Sequence, residues 1–221
     1  IEFSDWSSDV CSSDLFFFCF APSLLMRKEV IVLGFVVASV VGAAAAWLTE
    51  VNESGYCGFD GVTYGTREEA HTTGGGVMHC GGCGACSTFH DVNLYKVTKE
   101  NLTKVSRACA WKSVFSYAKS RKCMEEKVGF TGPCMDCWME NILCDRKHCL
   151  LVCMESIMKN ESYVDKDGHL NKCLQCDEDK CGPAFKKCAG ANRRRACIAS
   201  DIFRDKSTIC KDCDPLPQGK F

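Results

Sequence analysis

The chain has 221 residues, with 27 basic against 28 acidic side chains, a net charge of −1 and 46% hydrophobic residues. That balance excludes nucleic acid as a partner held by bulk charge, and it excludes a chain too polar to bury a core. Its 20 cysteines reach the density, about 8–10%, at which a short secreted chain reads as a disulfide scaffold, which argues against a reducing compartment.

The first fifteen residues, IEFSDWSSDVCSSDL, resemble translated adaptor or vector sequence, and FFFCFAPSLL after them resembles an untranslated leader read in frame. Residues 1–25 are therefore set aside as a sequencing or leader artefact, with Cys11 and Cys19. Met26 is the natural start. Arg27 and Lys28 follow it, then an apolar run from Val30 to Leu48. This run is long for a signal core and barely long enough to span a bilayer, so residues 26–48 are either a signal peptide cut near Ala43 to Ala46 or a retained anchor. By the positive-inside rule both place the rest outside the cytosol, secreted or as a type II membrane protein, with the membrane a partner only if the 30–48 segment is kept. Three sequons, at Asn52, Asn101 and Asn160, fit a secretory route. Downstream of the run the cysteines are even in number, and complete pairing is expected.

Residues 49–97 form a glycine- and cysteine-rich hairpin and loop region. Asp60-Gly61 between Phe59 and Val62 signals a tight hairpin, with Thr63 and Tyr64 in a short strand. The run Cys57-Gly-Phe-Asp-Gly-Val-Thr-Tyr64 resembles the opening of a Kazal-type inhibitor module. The likeness stops there: Glu68 stands where that family has its next cysteine, and no pair of cysteines precedes the motif. What is expected is the hairpin, held by one disulfide through Cys57. Cys80, Cys83 and Cys86, with His90 four residues on, imitate the spacing of an iron–sulfur or zinc site. The alternative is three separate disulfides to distant partners, the glycines between them letting each sulfur point its own way.

Residues 98–213 read as a disulfide-stapled helical region. A helix is expected from Thr98, as cap, towards Tyr117 or Ala118. The organising element is one long helix from Thr131 to Met158, with Thr131 as cap, Pro133 in its first turn and no Gly or Pro in the next twenty-five residues. Cys134, Cys137, Cys144, Cys149 and Cys153 share one half of its wheel, and Cys109 and Cys123 are expected to staple to it. Residues 159–171 read as a loop. A further helix starts at Pro183 and extends past Arg193, Arg194 and Arg195 towards Phe203; the arginines either complement the helix dipole or form an anion-binding patch. Residues 214–221 are a tail.

Cys134 and Cys137 at a helix N-terminus are redox candidates, since the dipole lowers a thiol pKa there. No catalytic constellation joins the scattered histidines. Across HCGGCGACS, GFTGPCMDCW and CGPAFKKCAGANRRR, roughly Cys57 to Cys213, the chain is similar to a group of uncharacterised cysteine-rich proteins of single-celled algae and other protists, a likeness that implies no activity. The fold expected is mostly α, a disulfide-rich helical domain with a small irregular β-hairpin region at its N-terminal side. The function expected is a binding or structural module without catalysis or cofactor, whose partner is a protein, glycan or lipid headgroup. The alternatives are a thiol–disulfide oxidoreductase using Cys134 and Cys137, and a metal or iron–sulfur site at Cys80, Cys83 and Cys86.

Overall fold

The computed structural model describes residues 54–219, so the leader, the signal or anchor segment and Asn52 lie outside it. Among the described residues there are eight helices and one three-stranded antiparallel sheet. Its strands are β1 (Tyr56–Gly58), β2 (Thr63–Tyr64) and β3 (Val77–Cys80), in the order β2-β1-β3. The Asp60-Gly61 turn joins the first two as expected. Asp60 accepts from the Val62 amide and the Tyr64 hydroxyl, and Gly61 takes the positive φ that the turn requires. Helix α1 (Arg67–Thr72) fills the β2 to β3 connection and starts with a complete capping box between Thr66 and Glu69.

Helix α2 (Phe89–Val97) is capped by Thr88, and Thr98 closes its C-terminal end by bonding to the Leu94 carbonyl. The expected helix from Thr98 therefore begins later, as α3 (Leu102–Ser113). It ends before Ser116, which caps a separate α4 (Tyr117–Lys127). Cys109 and Cys123 do not reach the central helix; they bond to each other and close the α3–α4 hairpin.

The central helix is two helices, α5 (Gly132–His148) and α6 (Leu150–Met158), broken at Cys149. No Gly or Pro marks the break. It falls where the fully buried Cys149 is tied to Cys176 on the next helix, α7 (Lys172–Lys180). Thr131 does precede α5, but its side chain gives no capping bond. Its amide and hydroxyl both donate to Asp91, a fully buried carboxylate on α2 that also accepts from Thr88. A buried charge is tolerable there because three donors surround it.

The last helix, α8 (Gly182–Ala189), stops at Gly190, whose φ of +67° no other residue adopts without strain. A side chain on Gly190 would also run into the Gly84 backbone, where the chain before α2 lies close enough for the Ala85 and Cys86 amides to donate to the Cys188 and Ala189 carbonyls of α8's last turn. The expected extension towards Phe203 is replaced by turns. Around α5 the core gathers Tyr95, Met124, Phe130, Met135 and Met139. Trp138 stacks on Phe130, meets Phe185 edge-on and donates to the Tyr95 hydroxyl.

All eighteen cysteines of the described residues are paired. Four bridges join α5 and α6 to α7 and α8 or their junction: Cys137–Cys188, Cys144–Cys181, Cys149–Cys176 and Cys153–Cys173. Such density is that of an oxidised, extracytoplasmic domain. No helix among the described residues is long and apolar enough to cross a membrane.

Candidate functional site: a carboxyl pair beside an apolar cavity

The residues singled out by sequence are placed apart. Cys134 and Cys137 sit buried in the first turns of α5, Cys134 bonded to Cys86 and Cys137 to Cys188. Cys80, Cys83 and Cys86 enter three different bridges, to Cys210, Cys57 and Cys134, while His90 bonds through Nε2 to the Gly129 carbonyl. Arg193 donates to Asp201 and Thr103, Arg194 to Glu178, and Arg195 to the Lys186 and Gly190 carbonyls at the end of α8. The dipole of α8 is thus met by Arg195 from the following turn. Asn101 and Asn160 are both exposed.

A serine–histidine contact was not read from the sequence. His79 is fully buried on β3; its Nδ1 faces the Cys80 carbonyl at 2.9 Å and its Nε2 the Ser87 hydroxyl at 2.7 Å. A carbonyl only accepts, so the proton is on Nδ1 and Nε2 accepts from Ser87. Burial lowers the imidazole pKa to about 4, with the Arg195 charge adding to it against the Cys80 bond. Ser87 lies where Gly190 packs and lines neither cavity described below, so this pair locks a turn.

The chemistry that stands out is on α5 and α7. A cavity of about 180 Å³ opens between α3, α5, α6 and α7. Its walls are mostly apolar, with Trp111, Trp138, Ile142, Met154, Ile157 and Leu174 among them. Into this lining α5 brings Asn141 and Asp145, one helical turn apart, and α7 brings Asp177. Asn141 donates through Nδ2 to Asp177 at 3.0 Å. Asn141 Oδ1 and Asp145 Oδ1 are sealed from water and have no conventional donor.

Two carboxyls that face each other at such a place share a proton. Burial, then the Asp177 charge and a hydrogen bond to Asp177, push Asp145 up to about 8. Burial also raises Asp177, while the Asn141 bond, the Asp145 bond and Arg204 pull the other way. Protonation is therefore favoured at this pair, at Asp145 above all. The basic groups of the same wall are engaged: Arg146 with the Ser113 carbonyl, Arg107 over the Tyr163 ring, Arg193 with Asp201. A second cavity of about 120 Å³ shares Trp138, Asn141, Asp177 and Arg193 with the first and is more polar, walled by Glu178, Arg194 and Arg204. Glu178 is held there between the guanidiniums of Arg194 and Arg204.

Asp145 could have been suspected from sequence, since seven residues at about 100° each bring it back onto the Trp138 stripe of the helix. Asp177 could not, because its partner lies across a loop. Elsewhere, Asp165, Asp167 and His169 bring three ligand-type atoms within 4.8 Å of one another, all on exposed side chains of the loop after α6.

Over residues 117–212 the chain is similar to a family of unknown function, DUF8771. That span runs from α4 through α8 and holds Asn141, Asp145 and Asp177 with most of the cavity wall. No curated protein and no solved structure matches the chain.

Proposed function

We propose that the described domain is a non-catalytic binding module, delivered by the secretory route and either secreted or held at the surface by the 30–48 segment. Its ligand is a small apolar molecule with a cationic amine head. The observation that carries this reading is the placing of two carboxyl side chains, Asp145 and Asp177, in the mostly apolar wall of a cavity of about 180 Å³, where burial raises the pKa of both. A dry apolar cavity of roughly 150 Å³ takes a benzene ring, so one ring with a short chain suits the space. An ammonium group entering the wall takes the place of the shared proton, leaving both carboxylates charged and paired.

Titration of the protein with 2-phenylethylamine, followed by Trp111 and Trp138 fluorescence, tests this. Saturable quenching is expected, weaker for uncharged ethylbenzene, with about one proton released on amine binding below pH 8. Asp145→Asn should erase the preference for the amine while leaving the apolar contribution. No saturable change with either compound removes the proposal.

A further inference from the structure

At the opposite end of the chain two disulfides lie in contact. Cys80, the last residue of β3, is bonded to Cys210, and Cys197 to Cys213. Across the two bonds, Cys210 Sγ and Cys213 Sγ are only 3.8 Å apart. All four cysteines are half-buried, unlike Cys86–Cys134 and Cys109–Cys123, which are closed to solvent. Cys197 is held at φ +62°, a left-handed conformation costly to a residue with a side chain. Two backbone amides point at sulfur: the Cys213 N–H at Cys197 Sγ, 3.2 Å away, and the Asp212 N–H at Cys210 Sγ, 3.5 Å away.

The geometry points to a thiol-exchange site in which an external dithiol is oxidised and the two bridges Cys80–Cys210 and Cys197–Cys213 are replaced by the single bridge Cys210–Cys213. This activity is independent of the cavity and of any ligand in it. The steps balance. A thiolate of the dithiol attacks Cys197 Sγ, forming a mixed disulfide and releasing Cys213 as thiolate. That thiolate is already in contact with Cys210 Sγ and attacks it, forming Cys210–Cys213 and releasing Cys80 as thiolate, which takes up a proton. The second thiol of the dithiol then attacks the mixed disulfide at its own sulfur. It leaves as a cyclic disulfide and frees the Cys197 thiol. Two electrons and two protons pass from the dithiol to Cys80 and Cys197, and no other bridge is touched.

A carboxylate oxygen of Asp212 lies within 4.8 Å of the Cys80 and Cys210 sulfurs and disfavours a Cys80 thiolate, so the freed Cys80 rests as the protonated thiol. The first step cuts the bond that ties Cys197, with its left-handed backbone, to Cys213. Noncovalent ties to the C-terminal segment survive: Asp214 accepts from the Val77 amide and pairs with Arg67 and His71, and the Asp214 amide donates to the Val77 carbonyl.

Exposure of the folded, fully oxidised protein to limiting dithiothreitol, quenching with N-ethylmaleimide and tryptic mapping tests the site. The first two-electron product is expected to carry label on Cys80 and Cys197 and a new Cys210–Cys213 link, visible because cleavage after Lys211 leaves two peptides joined. Label on a bonded pair instead, whether Cys197 with Cys213, Cys80 with Cys210, or any of the other seven bridges, overturns the proposal. The double variant Cys80→Ser, Cys197→Ser supplies a second measurement that does not depend on reduction kinetics. It should take up no N-ethylmaleimide and contain the Cys210–Cys213 bridge; label on Cys210 and Cys213 in the folded variant overturns the proposal as well.

Discussion

The two halves of α5 are built differently although one helix carries both. Its N-terminal half is closed: Cys134, Met135, Cys137 and Met139 are at most 1% exposed, two of them bonded to other elements. Thr131 before it hangs from the buried Asp91. In the C-terminal half, after Ile142, the side chains are half-buried or exposed, Asn141 and Asp145 keep acceptor atoms without conventional donors, and a cavity replaces the packed side chains. The first half has the close packing expected of an interior. The second leaves apolar wall uncovered and retains charge where burial penalises it. The contrast teaches where the fold spends its stability and where it keeps a capacity to bind.

The most damaging way to break the contrast is at the closed end. Asp91→Ala leaves the Thr131 amide, the Thr131 hydroxyl and the Thr88 hydroxyl without their acceptor. A loss of about 3 kcal/mol is expected from urea unfolding, since bonds to a charged group contribute about 1.5–3 kcal/mol each before relaxation. A loss under about 1 kcal/mol would mean that the bridges, not Asp91, hold this end.

A smaller effect of opposite sign is expected at the open end. Asp145 titrates near 3.8 when unfolded and is pushed up to about 8 when folded. Between those values the folded protein holds a proton that the unfolded chain has lost, so its contribution is full below pH 4 and is lost as pH rises towards 8. His79 acts in reverse: lowered to about 4 from 6.5, it contributes fully above pH 6.5 and loses that contribution as pH falls to 4. The two oppose each other between pH 4 and 6.5, and above 6.5 only the carboxyl pair remains. Asp145→Asn should therefore raise Tm at pH 8 by a few degrees, on the order of 1 kcal/mol, and flatten the fall in Tm between pH 6.5 and 8. An unchanged slope would show that the pair does not share a proton.

The least effect is expected on the outer face of the closed half. Arg121 pairs with Glu125 and Asp136 at 2.9 and 2.6 Å, and both carboxylates are largely exposed. Arg121→Ala should change stability by no more than about 0.5 kcal/mol in calorimetry. A larger change would place part of that half's rigidity on its surface.

The start of α5, the Asp60-Gly61 hairpin and the complete pairing were legible because Pro133, a tight-turn dipeptide and an even cysteine count act locally or arithmetically. Other elements were not. Thr98 has the chemistry to close either end of a helix, and only the bond to Leu94 decides which. YAKSRKCMEEK and KCLQCDEDK are helices with hardly an apolar stripe, because their cysteines take over the anchoring that larger side chains usually perform. The break at Cys149 follows from a bridge to a residue in another helix. For the same reason Asp145 was half legible, as a charge on the Trp138 stripe, and Asp177 was not.

The Cys80–Cys210 bond spans 130 residues, while every other bridge among the described residues spans 51 or fewer. Among the described residues it is also the one bridge that crosses the turn between α8 and Cys197, where Arg193, Arg194 and Arg195 follow one another. In the fully bridged form a protease cut at those arginines would sever the backbone without parting the pieces. Once Cys210 has changed partner, the same cut would leave the segment from Ala196 onward joined to the rest by noncovalent contacts alone. Covalent connectivity across the arginine turn thus rests on a single pair of sulfurs, so the pairing state decides whether a nick is silent or becomes a release.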